Sequence, residues 1–159
     1  MGDFATISDA FESIPQWNKQ RVVIRIGPGV YRENVKIDSS KPFVTFSGKE
    51  NAMPTITFAG TAAEYGTLDS AAVIVESCYF VASNIIFQNS APRLVLGVKG
   101  AQAVAMRIFG DKTAFYSCKF LGYQGTLCDN KGRHLFKDCF IQGTIDFILG
   151  NGRSIYLVI

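Results

Sequence analysis

The 159-residue chain has a formal net charge of +3 at pH 7, and 48% of its residues are hydrophobic. This content suits one globular domain with its own core. Lys and Arg are scattered singly, which argues against nucleic acid as a partner. Polar residues interrupt the longest apolar stretches, so no membrane span is expected. A single histidine and four cysteines without a C-x-x-C pair predict no metal site.

One segment, residues 6–14, predicts a helix. Its apolar residues follow the spacing i, i+3, i+4, i+7 at Ile7, Ala10, Phe11 and Ile14. Thr6 can cap the start, and Pro15 ends the pattern. After that, short β-type runs at 21–26, 35–37, 44–46 and 55–58 alternate with turn residues. Such spacing is typical of an all-β sandwich, barrel or solenoid.

An internal repeat favours the solenoid. Residues 115–122 resemble residues 136–143 at a constant offset of 21, and an earlier copy at 75–80 lies about two such units before. A period near twenty in strand-rich sequence is typical of stacked β-coils. The leucine-rich-repeat signature is missing. We therefore predict an all-β, right-handed parallel β-helix with residues 6–14 as a short N-terminal capping helix.

The same repeat relates two further positions. Gly125 and Asp146 are 21 residues apart, so they should occupy the same place on neighbouring coils, about 4.8 Å apart along the stack. Two acids placed there would form a close pair, one ionised and one protonated. Here one of the two positions is glycine.

Several other side chains are expected to be structural. Most of the aromatic residues that recur with the coil should stack in the core: Tyr79, Phe80, Phe115, Phe120, Phe136 and Phe140. Cys118 and Cys139 share a repeat position and are expected to be buried thiols, although their offset does not forbid a disulfide. His134 lacks a G-x-S-x-G serine or a cysteine partner, so we expect a surface imidazole.

Five short motifs follow one another along the chain. They are G-D-F-A-T-I at 2–7, G-V-Y-R-E at 29–33, Q-A-V-A at 102–105, Y-Q-G-T-L at 123–127 and G-T-I-D-F-I-L-G at 143–150. In order and spacing they resemble the N-terminal part of the catalytic domain of the plant-type pectin methylesterase (pectinesterase) family. The resemblance covers nearly the whole chain.

This resemblance implies a carboxylic ester hydrolase that converts galacturonate methyl esters in pectin into pectate and methanol, without a cofactor. Asp146 would be the nucleophile, and Gln102 and Gln124 would donate hydrogen bonds to the oxyanion. Gly125 occupies the position of the general acid, which is therefore missing. Tyr123 would stack against a sugar at the groove.

The departures from the family pattern make turnover by this chain doubtful. Glycine at 125 cannot transfer a proton, and loss of a positioned acid removes roughly 10²–10⁴ in rate. The family's later L-G-R-P-W segment does not occur before Ile159, so residues 1–159 are expected to be a single, C-terminally truncated pectinesterase-like domain.

Two other function classes fit the same architecture. A catalytically dead carbohydrate-binding β-helix fragment is the alternative, although it leaves Asp146, Gln102 and Gln124 unexplained. A polysaccharide lyase or glycoside hydrolase would need a calcium-binding acidic cluster with a basic residue or an intact acid pair, and the sequence shows neither.

The resemblance also implies partners and a location. They are partly methylated polygalacturonate, a pectin methylesterase inhibitor protein, and the extracellular plant cell wall. Residues 1–4 carry no basic n-region, so no signal peptide is expected in this chain.

Overall fold

The protein is a parallel β-helix. A computed structural model describes residues 2–93 and 98–159, which contain sixteen strands in three parallel sheets. The first sheet consists of β1 (Val22–Arg25), β4 (Val44–Ser47), β7 (Val81–Ser83), β10 (Thr113–Tyr116), β13 (Arg133–Lys137) and β16 (Arg153–Leu157). The second consists of β2 (Val30–Arg32), β5 (Thr55–Phe58), β8 (Ile86–Asn89), β11 (Lys119–Leu121) and β14 (Phe140–Gln142). The third consists of β3 (Val35–Ile37), β6 (Val73–Val75), β9 (Met106–Ile108), β12 (Leu127–Asp129) and β15 (Ile148–Leu149).

Each coil adds one strand to each sheet in turn, so successive coils pair in parallel. The register places Phe115 beside Phe136 and Leu127 beside Ile148, which is the offset of 21 seen in the sequence. The predicted right-handed parallel β-helix is confirmed. The connection between β5 and β6 contains a second helix, α2 (Ala62–Tyr65). The prediction of only one helix was therefore wrong, because four residues are too few to show helical periodicity.

The N-terminal helix α1 (Ile7–Glu12) covers the first coil, as predicted. Thr6 Oγ1 accepts a hydrogen bond from Asp9 N at 3.0 Å. The carboxylate of Glu33 accepts from Ile7 N at 2.9 Å, which satisfies another free donor of the first turn. Neither described helix, α1 or α2, has the length and apolar character needed to cross a bilayer.

Aromatic side chains form the centre of the core. Four of the six predicted core aromatics are fully buried: Phe80, Phe115, Phe120 and Phe136. Phe115 and Phe136 stack with ring centroids 5.0 Å apart, and Tyr156 continues the stack at 4.6 Å from Phe136. Tyr79 and Phe140 are exposed instead, at 36% and 52%. Stacked pairs of this kind stabilise the fold beyond their buried area.

Two remaining expectations had different outcomes. Cys118 and Cys139 are buried and not joined in a disulfide, as expected. The expectation of a surface imidazole at His134 was wrong, because this side chain is fully buried. Its ring lies between the Asp129 carboxylate and the carbonyl of Gly110, two polar partners that make burial of an imidazole possible.

Candidate active site

Two equivalent turns on neighbouring coils form the centre of the candidate site. One leads into β12 and the other into β15. Gly125 N donates to Ile145 O at 3.2 Å, and Leu127 N donates to Phe147 O at 2.8 Å. These bonds place Gly125 beside Asp146. Both residues have left-handed backbones, with φ of +76° and +50°.

Gln102 comes from the preceding coil and borders the position of Gly125. Ala103 N donates to Gln124 O at 2.9 Å, which ties the two glutamine-bearing segments together. A Cβ built on Gly125 would lie 3.8 Å from Gln102 Cβ and 3.5 Å from Leu149 Cδ2. These are ordinary van der Waals distances, so a side chain at 125 would lie between the coil of Gln102 and the coil of Leu149.

Tyr123 and Gln124 line a small cavity of about 80 Å³ next to these turns. Arg93, Thr144 and Ile145 form part of the same wall. Tyr123 O accepts from Thr144 N at 2.6 Å, which fixes the Tyr123 backbone, while the residue as a whole is 41% exposed. The ring is therefore available to a ligand at the surface.

The structure brings the predicted residues onto three successive coils but does not link their side chains. Within residues 2–93 and 98–159, no hydrogen bond joins the side chains of Asp146, Gln102 and Gln124. The Asp146 residue is exposed, whereas both glutamines are half-buried. Catalytic hydrogen bonds are often formed only when substrate is bound. The arrangement can present one carboxylate and two amide donors to an ester lying across the coils.

Asn89, at the end of β8, is a positioning residue that the sequence reasoning missed. It is buried, and its Nδ2 lies 2.8, 3.0 and 2.9 Å from the carbonyl oxygens of Gly60, Ser70 and Val104. Its Oδ1 accepts from Ala91 N at 2.9 Å. These contacts hold the Q-A-V-A segment, which carries Gln102, against the long connection before β6. Asn89 lies two residues after Phe87 and therefore on the same, inward face of the strand, and this polar residue at an inward position was the available signal.

Arg107 places a positive charge on the outer face of the third sheet, and spacing alone did not identify it. It pairs in register with Cys128. Its Nη1 lies 3.5 Å from Asp69 Oδ1, and its guanidinium lies 5.1 Å from the centre of the Phe109 ring. Burial raises the pKa of the Cys128 thiol, and the Arg107 charge only partly offsets this effect. Cys128 is buried and packs with Ala71, Ile74 and Val104 in a second apolar cluster.

Comparison with known proteins identifies the family. The sequence model described as Pectinesterase matches residues 1–158. The chain belongs to the pectinesterase family. Putative pectinesterase 63 from Arabidopsis thaliana is 61% identical over 98% of this chain and 46% of its own length. Pectin methylesterase from carrot superimposes with a TM-score of 0.90 at 39% identity, covering 98% of this chain and 47% of that chain.

A further pectinesterase-family neighbour was solved with a sugar ligand. The crystal structure of pectin methylesterase in complex with hexasaccharide VII has a TM-score of 0.88 at 30% identity, covering 98% of this chain and 50% of that one. The family resemblance found in the five motifs is thus confirmed. This pectinesterase chain spans about half the length of the relatives it matches.

Proposed function

We propose that this chain hydrolyses galacturonate methyl esters in pectin, releasing methanol and leaving pectate. The observation that carries the proposal is the pair of left-handed turns with Asp146 and Gly125 on neighbouring coils, bordered by Gln102. Membership of the pectinesterase family and the pectin methylesterase solved with a hexasaccharide support the same substrate class.

In the proposed reaction the Asp146 carboxylate attacks the ester carbonyl carbon. The carbonyl oxygen becomes an oxyanion, which amide N–H groups of Gln102 and Gln124 stabilise. Collapse breaks the bond to the methoxy oxygen and leaves an acyl-enzyme, a mixed anhydride. Methoxide leaves with one proton as methanol. Water then cleaves the anhydride, which regenerates the Asp146 carboxylate and gives the free galacturonate carboxylate.

The position of Gly125 makes the step that forms methanol slow. A positioned carboxylic acid there would protonate the methoxy oxygen and later activate the water. Glycine has no group to do either, so the proton has to come from solvent. We expect turnover roughly 10²–10⁴-fold below that of a chain with an acid at 125.

The proposal extends to substrate contacts, location and partners. The half-exposed Tyr123 ring would stack on a sugar of partly methylated polygalacturonate. The location proposed from the family is the extracellular plant cell wall. A pectin methylesterase inhibitor protein is the proposed protein partner.

The test is methanol release from highly methylated pectin by the parent chain and by Asp146→Asn, at high enzyme concentration. Asp138→Asn is the matched control, because Asp138 is also exposed and also has a left-handed backbone, with φ of +54°. Asp146→Asn should abolish methanol release and Asp138→Asn should leave it unchanged. Equal rates for both variants would refute the role of Asp146.

A further inference from the structure

A single row of side chains runs across all six strands of the first sheet, on the side that faces away from the core. Each member lies at the start of its strand or one or two residues before it. In strand order, the members of this entry row are Arg21, Phe43, Tyr79, Lys112, Arg133 and Arg153. Neighbouring strands lie about 4.8 Å apart, so the entry row is about 24 Å long.

Direct contacts join the first four members of the entry row. Phe43 and Tyr79 stack with ring centroids 4.7 Å apart. The Arg21 guanidinium donates to Tyr79 O at 3.0 Å and to Thr45 Oγ1 at 2.9 Å. From the other side, Lys112 Nζ donates to Tyr79 Oη at 2.8 Å. The two cations are therefore held in line with the pair of rings, along the axis of the coils.

The last three members of the entry row are cations at successive places. Arg133 is in register with Arg153, and like charges at such positions repel each other. Asp111 offsets only the first of these two charges, because its Oδ1 accepts from Arg133 N and Nε at 2.8 and 3.0 Å. In the part of the chain that the structure describes, no ion pair joins Arg21, Lys112 or Arg153 to an acid. These three cations are exposed and can accept an anionic ligand.

The whole outer face of the first sheet is basic, although the chain has a net charge of only +3. Arg25 and Lys137 also point outward from this sheet and are exposed. None of the six strands contains Asp or Glu. The outward positions, including the entry row, thus hold six of the sixteen Lys and Arg residues and none of the thirteen acids. Such a face attracts a polyanion.

We propose that the entry row binds a stretch of demethylated galacturonan, at a surface separate from the candidate active site. The choice of this polyanion rests on the proposed function, because pectate is the product of that reaction. An extended galacturonate chain carries one carboxylate per sugar, so along the axis of the coils it meets Arg21, Lys112 and Arg153 in turn. Each contact is weak, but several act together on one polymer.

The entry row and the candidate site lie on different sheets. Gly125 and Asp146 precede β12 and β15, which belong to the third sheet, whereas the entry row lies at the start of the strands of the first sheet. A galacturonan on the row therefore leaves the Asp146 carboxylate open. The row retains the protein on stretches that have lost their methyl groups, while the candidate site stays free for an ester.

Single-stranded nucleic acid is the competing polyanion, and it matches the entry row less well. Such ligands rely on bases that stack on open aromatic faces. Phe43 already covers one face of the Tyr79 ring, and Lys112 Nζ lies 4.9 Å from the centre of that ring. Carboxylates and hydroxyls need only the exposed hydrogen-bonding groups of the row, which favours the galacturonan.

The test is the binding of fluorescently labelled oligogalacturonate, measured by anisotropy at low salt, to the parent chain and to Lys112→Gln with Arg153→Gln. Lys49→Gln with Lys119→Gln is the matched control, because both lysines are exposed and lie off the first sheet, and both double variants have the same net charge. The row variant should raise Kd roughly 5–10-fold and the control less than about twofold. Equal effects of the two double variants would refute the entry row.

The parent chain alone supplies a second test that needs no row variant. Fully methylated oligogalacturonate lacks the charges and should bind much more weakly than the demethylated oligomer, and added NaCl should weaken the binding of the latter. Equal binding of both oligomers, or tighter binding of single-stranded oligothymidine at the same salt, would overturn the proposal.

Tyr123→Ala separates the entry row from the candidate site. This variant removes the ring at the candidate site and should leave oligogalacturonate binding unchanged. Binding lost in Tyr123→Ala and kept in the row variant would place the sugar at the candidate site and overturn the row. None of these assays needs turnover: row-dependent binding without methanol release refutes the esterase alone, and methanol release without row-dependent binding refutes the row alone.

Discussion

Gly125→Asp is the substitution for which the structure gives the clearest expectation. A Cβ at 125 would meet Leu149 Cδ2 at 3.5 Å and Gln102 Cβ at 3.8 Å, and neither distance is a clash. The backbone is the only obstacle, because φ at 125 is +76°. Aspartate adopts this region more readily than most residues. Asp146 does so at the equivalent position of the next coil.

The expected magnitudes follow from these contacts. A left-handed backbone costs an ordinary L-residue roughly 1–2 kcal/mol, and aspartate lies at the lower end. We therefore expect Gly125→Asp to lower the free energy of unfolding by about 1 kcal/mol. The new carboxyl group would lie between the coils of Gln102 and Leu149, next to Asp146. Supplying the missing acid should raise methanol release by roughly 10²–10⁴-fold.

Gly125→Asn separates proton transfer from the other effects of a side chain at this position. Asparagine has nearly the same shape and tolerates the same backbone, but it cannot protonate methoxide. Methanol release from methylated pectin should rise in Gly125→Asp and stay at the parent level in Gly125→Asn. If both variants respond alike, or if Gly125→Asp folds and shows no gain, the missing acid does not limit this site.

Two further predictions concern stability and can be checked by urea denaturation. Asn89→Ala should lower the free energy of unfolding by about 3 kcal/mol, because it leaves buried carbonyls such as that of Val104 without a donor. A loss below about 1 kcal/mol would show that these hydrogen bonds contribute little to stability. Phe136→Ala should lower the free energy of unfolding by about 3–5 kcal/mol, since its ring is fully buried between neighbouring aromatic rings. Phe140→Ala should lower it by less than about 1 kcal/mol, because this residue is 52% exposed. Similar losses for the two phenylalanines would contradict the assigned core.

The repeat in the sequence was enough to predict the fold and its register. An offset of 21 between similar segments corresponds directly to one coil, so the spacing alone predicts Phe115 over Phe136 and Gly125 beside Asp146. The capping helix was also predictable, because Thr6 and the apolar spacing after it are local signals. Helix α2 was not, because it has only four residues.

Contacts between coils of unequal length could not be predicted. Asn89 reaches Gly60 and Val104 across long connections whose paths have no periodic signal. His134 was mistaken for a surface residue because its partners, Asp129 and the Gly110 carbonyl, are ordinary residues in sequence. In both cases burial of a polar group depends on tertiary hydrogen bonds, which neither composition nor spacing records.

The most direct test of the proposed chemistry is ¹H NMR detection of methanol from methylated pectin, with Gly125→Asp compared with Gly125→Asp carrying Asp146→Asn. Both proteins have the same side chain at 125, so they differ only in the nucleophile. We predict steady methanol release from the first and none above background from the second. Equal release from both, or none from a folded Gly125→Asp, would contradict an aspartyl esterase site at these two turns.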